Sequence, residues 1–368
     1  MNLTQLTLII PSYERQKFLL RQIEDLANWE IRVIIVDGSK YPLSAEVLLR
    51  LKDLPHIDYR HLRGSYVDRI STVANEIVTP FAMCLADDDF YLQKGLLQAI
   101  EKLESDPSAV ACMGQTIGLD FRIRKSYFFK YGSNLKDYSV NGETPKERIL
   151  NGLTEYRSAT PYAVFRTSIF QKVWSSREHL SSLETVEYEH AIRTYFYGRL
   201  ISTDSIYWIR SFETQPVPSV IDGTRATDFY TWFNGAKFES ERKTFESRLV
   251  SLLQNSEKIT EIESAGLYGE IIDKIIGKSH SSLSETNLKR TVFIKLTSSL
   301  AKVLPLGYFK NTKFWNGILS PTLEYALRDK KLNLARNQVE VNLELKEVLE
   351  FCNRFYLIKK TNSYDLYH

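Results

Sequence analysis

Three consecutive carboxylates, Asp87, Asp88 and Asp89, directly follow the apolar stretch at 81–86. Aspartates crowded at the end of a buried segment repel one another, and desolvation adds to the cost. A divalent cation relieves both. Mg²⁺ and Mn²⁺ favour oxygen ligands and join one or two carboxylates to substrate phosphates, with waters filling the shell. The same triplet could instead be a solvated turn capping the next helix, because aspartates favour helix N-termini. A second carboxylate group, Glu184, Glu187 and Glu189, stands just ahead of His190 and Arg193. A carboxylate at the start of a helix can take the proton from an attacking hydroxyl. It can also do no more than offset the helix dipole.

The elements that must position these residues separate the readings. Residues 6–10 form a short β-rich apolar run closed by Pro11 and Ser12, which reads as a buried strand and its exit turn. Residues 31–36 repeat the pattern and end at Asp37-Gly38-Ser39, and residues 81–86 repeat it again and run into the acidic triplet. Helical spacing fills the gaps, at 16–29, 44–51 with Ser44 as N-cap, 68–76 and 93–104. Weaker strand signals fall at 57–62 and 109–113. This alternation predicts an α/β protein with a mostly parallel, doubly wound, Rossmann-like sheet. Such sheets bind ligands at the carboxyl ends of their strands. The exits at 11–15, 37–40 and 87–89 should therefore meet on one edge, which favours a metal at the acidic run over a plain cap.

Beyond the third strong strand the pattern loosens. Residues 114–161 are rich in Tyr, Phe, Lys and Arg and read as a cover over the site rather than part of the sheet. A strand entering a helix is expected at 160–170, a helix at 187–197 and a strand at 201–209, with helices throughout after about 228. The expected organisation is an α/β domain over 1–225 and an appended C-terminal α-helical region over 226–368.

With 368 residues, 43% hydrophobic and 25% charged, the chain can bury a large core. A formal net charge of +3 argues against a dedicated nucleic-acid binder. Cys84, Cys112 and Cys352 are far apart and show neither zinc spacing nor a disulfide framework. No basic and apolar leader opens the chain and no apolar run approaches the ~18 residues of a membrane span, so a cytoplasmic protein is expected. Basic and apolar residues interleave over 289–314. That stretch suits peripheral contact with an anionic membrane face, or a core-facing helix with solvated lysines.

Taken together, residues 8–15 (LIIPSYER), 33–39 (VIIVDGS) and 85–90 (LADDDF) resemble, in order and spacing, the three signature segments of family 2-type glycosyltransferases with the GT-A fold. The resemblance spans roughly residues 3–215. It implies transfer of a sugar from a nucleotide-diphosphate donor, with a UDP-sugar favoured, to a hydroxyl of a glycan or lipid-linked glycan in surface polysaccharide biosynthesis. It implies that Pro11, Ser12, Tyr13 and Glu14 hold the nucleoside, that Asp37 bonds the base, and that Arg69 meets the nucleotide. Asp87 would lie toward the ribose, with Asp88 and the adjacent Asp89 on Mn²⁺ or Mg²⁺. Aligned on Arg193 and Gly198, Glu187 takes the position of the general base of an inverting enzyme, with Glu189 as the neighbouring candidate. Arg157, Tyr162 and Arg166 fall where such enzymes bind sugars. The sequence departs from the family pattern at Glu14, where Asn is usual, at Asp37-Gly38-Ser39, which is shortened, and at Ala86, where an Asp is common. Two other readings stand beside this one. One is a non-catalytic relative that binds glycan or a partner. The other is a sugar nucleotidyltransferase, disfavoured because no glycine-rich loop follows the first strand.

Overall fold

The computed structural model describes residues 2–122, 125–130, 135, 137–175, 180–211, 220–221, 224–225, 227–255, 260, 262–277 and 343–352. The basic and apolar stretch at 289–314 lies outside the described residues.

The first half alternates as its apolar periodicity dictates. Strand β1 (Leu6–Ser12) leads to helix α1 (Gln16–Leu26), β2 (Arg32–Asp37), α2 (Ala45–Arg50), β3 (Ile57–His61), α3 (Tyr66–Ala74) and β4 (Phe81–Cys84). Local chemistry sets several boundaries. Ser44 caps α2 by accepting from the Val47 N–H at 3.4 Å. Ser65 and Asp68 form a reciprocal capping box at the start of α3, an arrangement that satisfies two otherwise orphaned donors. After the acidic run come β5 (Phe90–Tyr91), α4 (Gln93–Ser105), β6 (Ala109–Arg122), β7 (Lys125–Lys130), α5 (Pro145–Thr154), β8 (Val164–Arg166), α6 (Thr167–Val173), α7 (Leu183–Tyr197) and β9 (Arg199–Ser211).

These strands make one sheet in the order β3-β2-β1-β4-β8-β6-β9-β5, with β7 paired to β6. Strands β3, β2, β1 and β4 are mutually parallel. Strand β8 runs antiparallel to both β4 and β6, so β6 and its parallel partner β9 point the same way as the first four. The mixed α/β sheet, parallel in its first four strands, agrees with the expected architecture. Parallel strands buried on both faces read as continuous apolar runs, and β1, β2 and β4 are buried along nearly their whole length.

The stretch at 114–161 departs from expectation. It does not merely cover the site, because β6 continues to Arg122, β7 returns along it, and α5 carries a Thr144–Glu147 capping box. Two register irregularities around Gln115 in the β6–β9 ladder, with Gln115 and Thr116 buried, break the apolar alternation that would have revealed the strand.

After β9 the described chain is mostly helical, with α8 (Phe229–Asn234), α9 (Glu239–Gln254) and helices over 262–277 and 343–352. Phe229, Trp232, Phe245, Leu249, Ile271 and Ile275 belong to the same apolar core as the sheet. Helix 343–352 closes a second cluster, setting Leu345, Val348 and Cys352 against Phe90, Leu92, Ile117 and Ile209. No helix among the described residues is long and apolar enough to cross a membrane.

Candidate functional site

Strand register builds the site. Ile9 pairs with Cys84 and Ser12 with Asp37. Continued by three residues, the first of these registers sets Ser12 opposite Asp87, and the Ser12 hydroxyl donates to Asp87 Oδ2 at 2.8 Å. The three strand exits do meet on one edge. The Glu14 N–H donates to Ser39 Oγ at 2.8 Å, the Lys40 N–H to Glu14 Oε1 at 2.6 Å, and the Gly38 N–H to Ser12 O at 2.9 Å.

Residues of the first two exits are fastened from behind. Arg69, only 5% exposed, reaches from α3 and donates to Val36 O at 2.8 Å and to Ser12 O. A Cβ on Gly38 would stand 2.7 Å from the Arg69 guanidinium carbon, so glycine is needed for close approach rather than for backbone torsion. Asp37 is fully buried and accepts from the Tyr59 hydroxyl at 2.8 Å and the Ser39 N–H at 2.9 Å. Glu14 has φ of 52°, the left-handed conformation that Asn adopts more readily than Glu. Pro11 and Tyr13 are half-buried beside it. Arg69 and Asp37 thus brace the loops that resemble a nucleoside-binding wall, and Ser12 ties that wall to the acidic run.

The acidic run is divided between internal anchors and an accessible edge. Asp89 is buried, accepting from the Trp208 indole N–H at 2.8 Å and the Ser211 N–H at 2.8 Å. Burial, followed by the Asp88 charge, pushes its carboxyl upward. Asp87 is also buried, and desolvation raises it to about 6, with Arg15 opposing. The side chain of Asp88 is 17% exposed and pairs with Arg15, which also stands 3.4 Å from Asp87. From α1, Arg21 donates to the Asp88 carbonyl and Gln22 to the Asp89 carbonyl. Arg21 stacks 4.4 Å over Phe90, and both Arg15 and Arg21 lie against Phe18.

For Mn²⁺ or Mg²⁺ the donor chemistry fits. Asp88 offers hard oxygens at the accessible edge, with the buried carboxylates of Asp87 and Asp89 on either side and one cation, Arg15, already compensating it. Among the described residues no group of three or more His, Cys, Asp or Glu could enclose a metal ion. A divalent ion here would need substrate phosphates and waters to complete its shell, the usual arrangement for Mg²⁺.

The second carboxylate group splits by helix geometry. Positions two apart on a helix point to opposite faces, and Glu187 and Glu189 do so. Glu187 is half-buried, and desolvation followed by Glu184 pushes its carboxyl up to about 8, with Arg210 opposing. Its charge reaches the phenols of Tyr66, Tyr156 and Tyr162. Tyr162 also feels Asp89 and Asp88, and its ring packs 4.9 Å from Trp208. Arg210 lowers both Glu187 and Asp89. Tyr162 and Arg210 therefore each interact electrostatically with both Glu187 and the acidic run. Glu189, by contrast, is 1% exposed and accepts from Arg248 at 3.1 Å, facing α9. Glu184 accepts from the Phe229 N–H at 2.7 Å and fastens α8.

Of the further sequence candidates, Arg166 does not join the site. Its guanidinium donates to Ala109 O at 2.9 Å and Asp106 O at 3.2 Å, closing the end of α4. Arg157 is exposed on the loop after α5. His190 is buried between Phe165 and Trp174. The sequence reading missed Arg15, Arg21, Trp208 and Arg210. A basic residue one place after the first exit turn was a usable signal for Arg15, whereas Trp208 and Arg210 depend on β9 running beside β5, which no local pattern shows.

Comparison with known proteins bears on this geometry. Residues 7–174 match the family model Glycosyl transferase family 2. That match takes in all three strand exits and stops ahead of α7, so Glu187 lies outside it. Among solved structures, S. aureus TarS 1–349 is similar at 13% identity, with a TM-score of 0.50 over 77% of this chain and 73% of that one. TarS 1–349 in complex with UDP-GlcNAc gives 13% identity and a TM-score of 0.52 over 73% and 72%. At such identity the likeness concerns the fold, which is the GT-A fold. No curated protein sequence matches.

Proposed function

We propose that the chain is a divalent-cation-dependent, inverting glycosyltransferase. It would move a sugar from a nucleoside diphosphate to a hydroxyl of a glycan or lipid-linked glycan, in surface polysaccharide assembly. A UDP-sugar is the favoured donor, the class named with the TarS crystal. The observation that carries the reading is the meeting of three polar strand exits on one edge, where Ser12 ties to Asp87, the Glu14 N–H ties to Ser39 and Asp88 keeps its carboxylate partly exposed. In this reading the acidic exit takes the diphosphate and Glu187 is the proton acceptor.

In this reading Pro11, Ser12, Tyr13 and Glu14 line the nucleoside, Asp37 and Arg69 hold those loops in register, and Asp87 orients the ribose side. Asp88, with Asp89 behind it, is the proposed ligand of Mn²⁺ or Mg²⁺, which when bound supplies charge stabilisation for the departing diphosphate. Glu187 takes the proton of the acceptor hydroxyl as that oxygen bonds to the anomeric carbon. The bond from that carbon to the diphosphate breaks in the same displacement. A carboxyl raised toward the working pH suits this proton transfer. Tyr162 and Arg210 would shape the gap in which donor and acceptor meet.

Titration of UDP, GDP and CMP into the full chain, with and without Mn²⁺, tests the reading. Manganese-dependent binding of UDP is expected, weakened at least tenfold in Asp88→Asn. Binding of CMP without metal, or of no nucleotide at all, would overturn it.

A further inference from the structure

Arg15 and Arg21 both approach the acidic run from α1, yet they hold it differently. Arg21 is fully buried, donates to a backbone carbonyl that no ligand changes, and is clamped over Phe90. Arg15 holds only side-chain oxygens, those of Asp87 and Asp88, and its own side chain is 19% exposed. It occupies the N-cap position of α1 without a side-chain capping bond, so helix α1 does not depend on where its guanidinium points. The Phe18 ring, 4.8 Å away, gives the guanidinium a flat surface beside the carboxylates. Resting on such a face costs a cation little.

The pairing conflicts with occupancy of the same edge by a metal. A divalent ion on Asp88 and a guanidinium on the same carboxylate would bring like charges within a few ångströms in a partly dry pocket, where repulsion is poorly screened. One of them must leave. A nucleoside diphosphate arriving with the ion brings an alternative partner for Arg15, because guanidinium pairs with phosphate in a bidentate fork.

We propose that Arg15 is an exchangeable counter-ion for the acidic run, held by Asp87 and Asp88 in the empty protein and passed to the donor's diphosphate when a divalent cation takes Asp88. This rests on the nucleotide-sugar reading of the site. It makes Arg15 a donor-binding residue and a guard against metal binding without nucleotide. The ion and the nucleotide would then enter together, each strengthening the other, since coupling of this kind is reciprocal.

Free Mn²⁺ followed by electron paramagnetic resonance in the full-length protein, with and without UDP, tests the exchange. Wild type should hold Mn²⁺ weakly alone and at least tenfold more tightly with UDP. Arg15→Gln should bind Mn²⁺ alone at least tenfold more tightly than wild type, and UDP should strengthen it far less. Arg15→Lys keeps the charge but loses the fork. It should leave the affinity for Mn²⁺ alone within about threefold of wild type and still reduce the UDP enhancement. If Arg15→Gln leaves the affinity for Mn²⁺ alone within twofold of wild type, the counter-ion role is wrong. If wild type shows no UDP enhancement, the donor reading fails, while the comparison in Mn²⁺ alone still reports whether Arg15 shields the carboxylates. An unfolded Arg15→Gln protein would shift the decision to Arg15→Lys, where an unchanged UDP enhancement overturns the proposal.

Discussion

The acidic exit of β4 and the first turns of α7 both present three carboxylates within a short span, and they are organised on opposite principles. In the acidic run, parallel register sets Asp87 against Ser12, and the division between buried and accessible carboxylates follows from neighbouring strands and α1. On α7, rotation about the helix axis sends Glu184 to α8 and Glu189 to α9, while Glu187, on the face opposite Glu189, acts on Tyr162 together with Asp88 and Asp89. The lesson is that adjacency in sequence means shared location at a strand end and divergent location on a helix. A cluster of acids in a helix should therefore be read by face and not by count.

The comparison is sharpened most by separating two of the helix positions, Glu187 and Glu189. Glu187→Gln should lower kcat roughly 10²–10⁴-fold, the ordinary range for loss of a general base, while UDP binding with Mn²⁺ stays within a few-fold of wild type. Equal loss of binding and turnover would instead put Glu187 with the donor. Glu189→Gln should act on stability. Breaking a buried ion pair costs roughly 3–5 kcal/mol, so thermal unfolding should fall by many degrees while surviving folded protein keeps its kcat. A folded Glu189→Gln protein without turnover would reverse the assignment of the two residues.

A smaller effect concerns pH. The Glu187 carboxyl is raised to about 8 by burial and by Glu184, so in the empty protein it is mostly protonated at neutral pH. Only the deprotonated form can accept a proton. The kcat/KM, which reports groups of the free enzyme, should climb about tenfold per pH unit below this value and level off above it. A profile flat from pH 6 to 9 would argue against Glu187 as the base.

Much of the edge proposed to bind the donor is legible in the sequence because it is written in strands. Apolar runs end at polar exits, and the parallel arrangement carries those exits to one edge. The proposed acceptor side is less so. Glu187 stood out only through an alignment on Arg193 and Gly198, and Glu189 looked equally able until the packing of α9 appeared. The resemblance marks Arg69 as a residue that meets nucleotide, and the structure adds a bracing role, since one guanidinium nitrogen donates to the carbonyls of Val36 and Ser12. Trp208 and Arg210 come from the long β6–β9 ladder, whose register shifts hid both strands' full length. Long-range pairing of this kind leaves no local periodicity to read.

The docking of helix 343–352 behind the acidic run has a consequence for how the protein is made. Glu344 accepts from the Lys94 N–H across 250 residues of chain, and Phe351 meets Phe90 edge to face. A ribosome adding about 5–20 residues per second would deliver this helix roughly 12 to 50 s after Lys94 emerges. Throughout that interval Phe90, Leu92 and Ile209 lack their final cover. The nascent chain therefore carries an open apolar patch beside its most charged turn, and the wall behind the acidic run is among the last parts of the molecule to close.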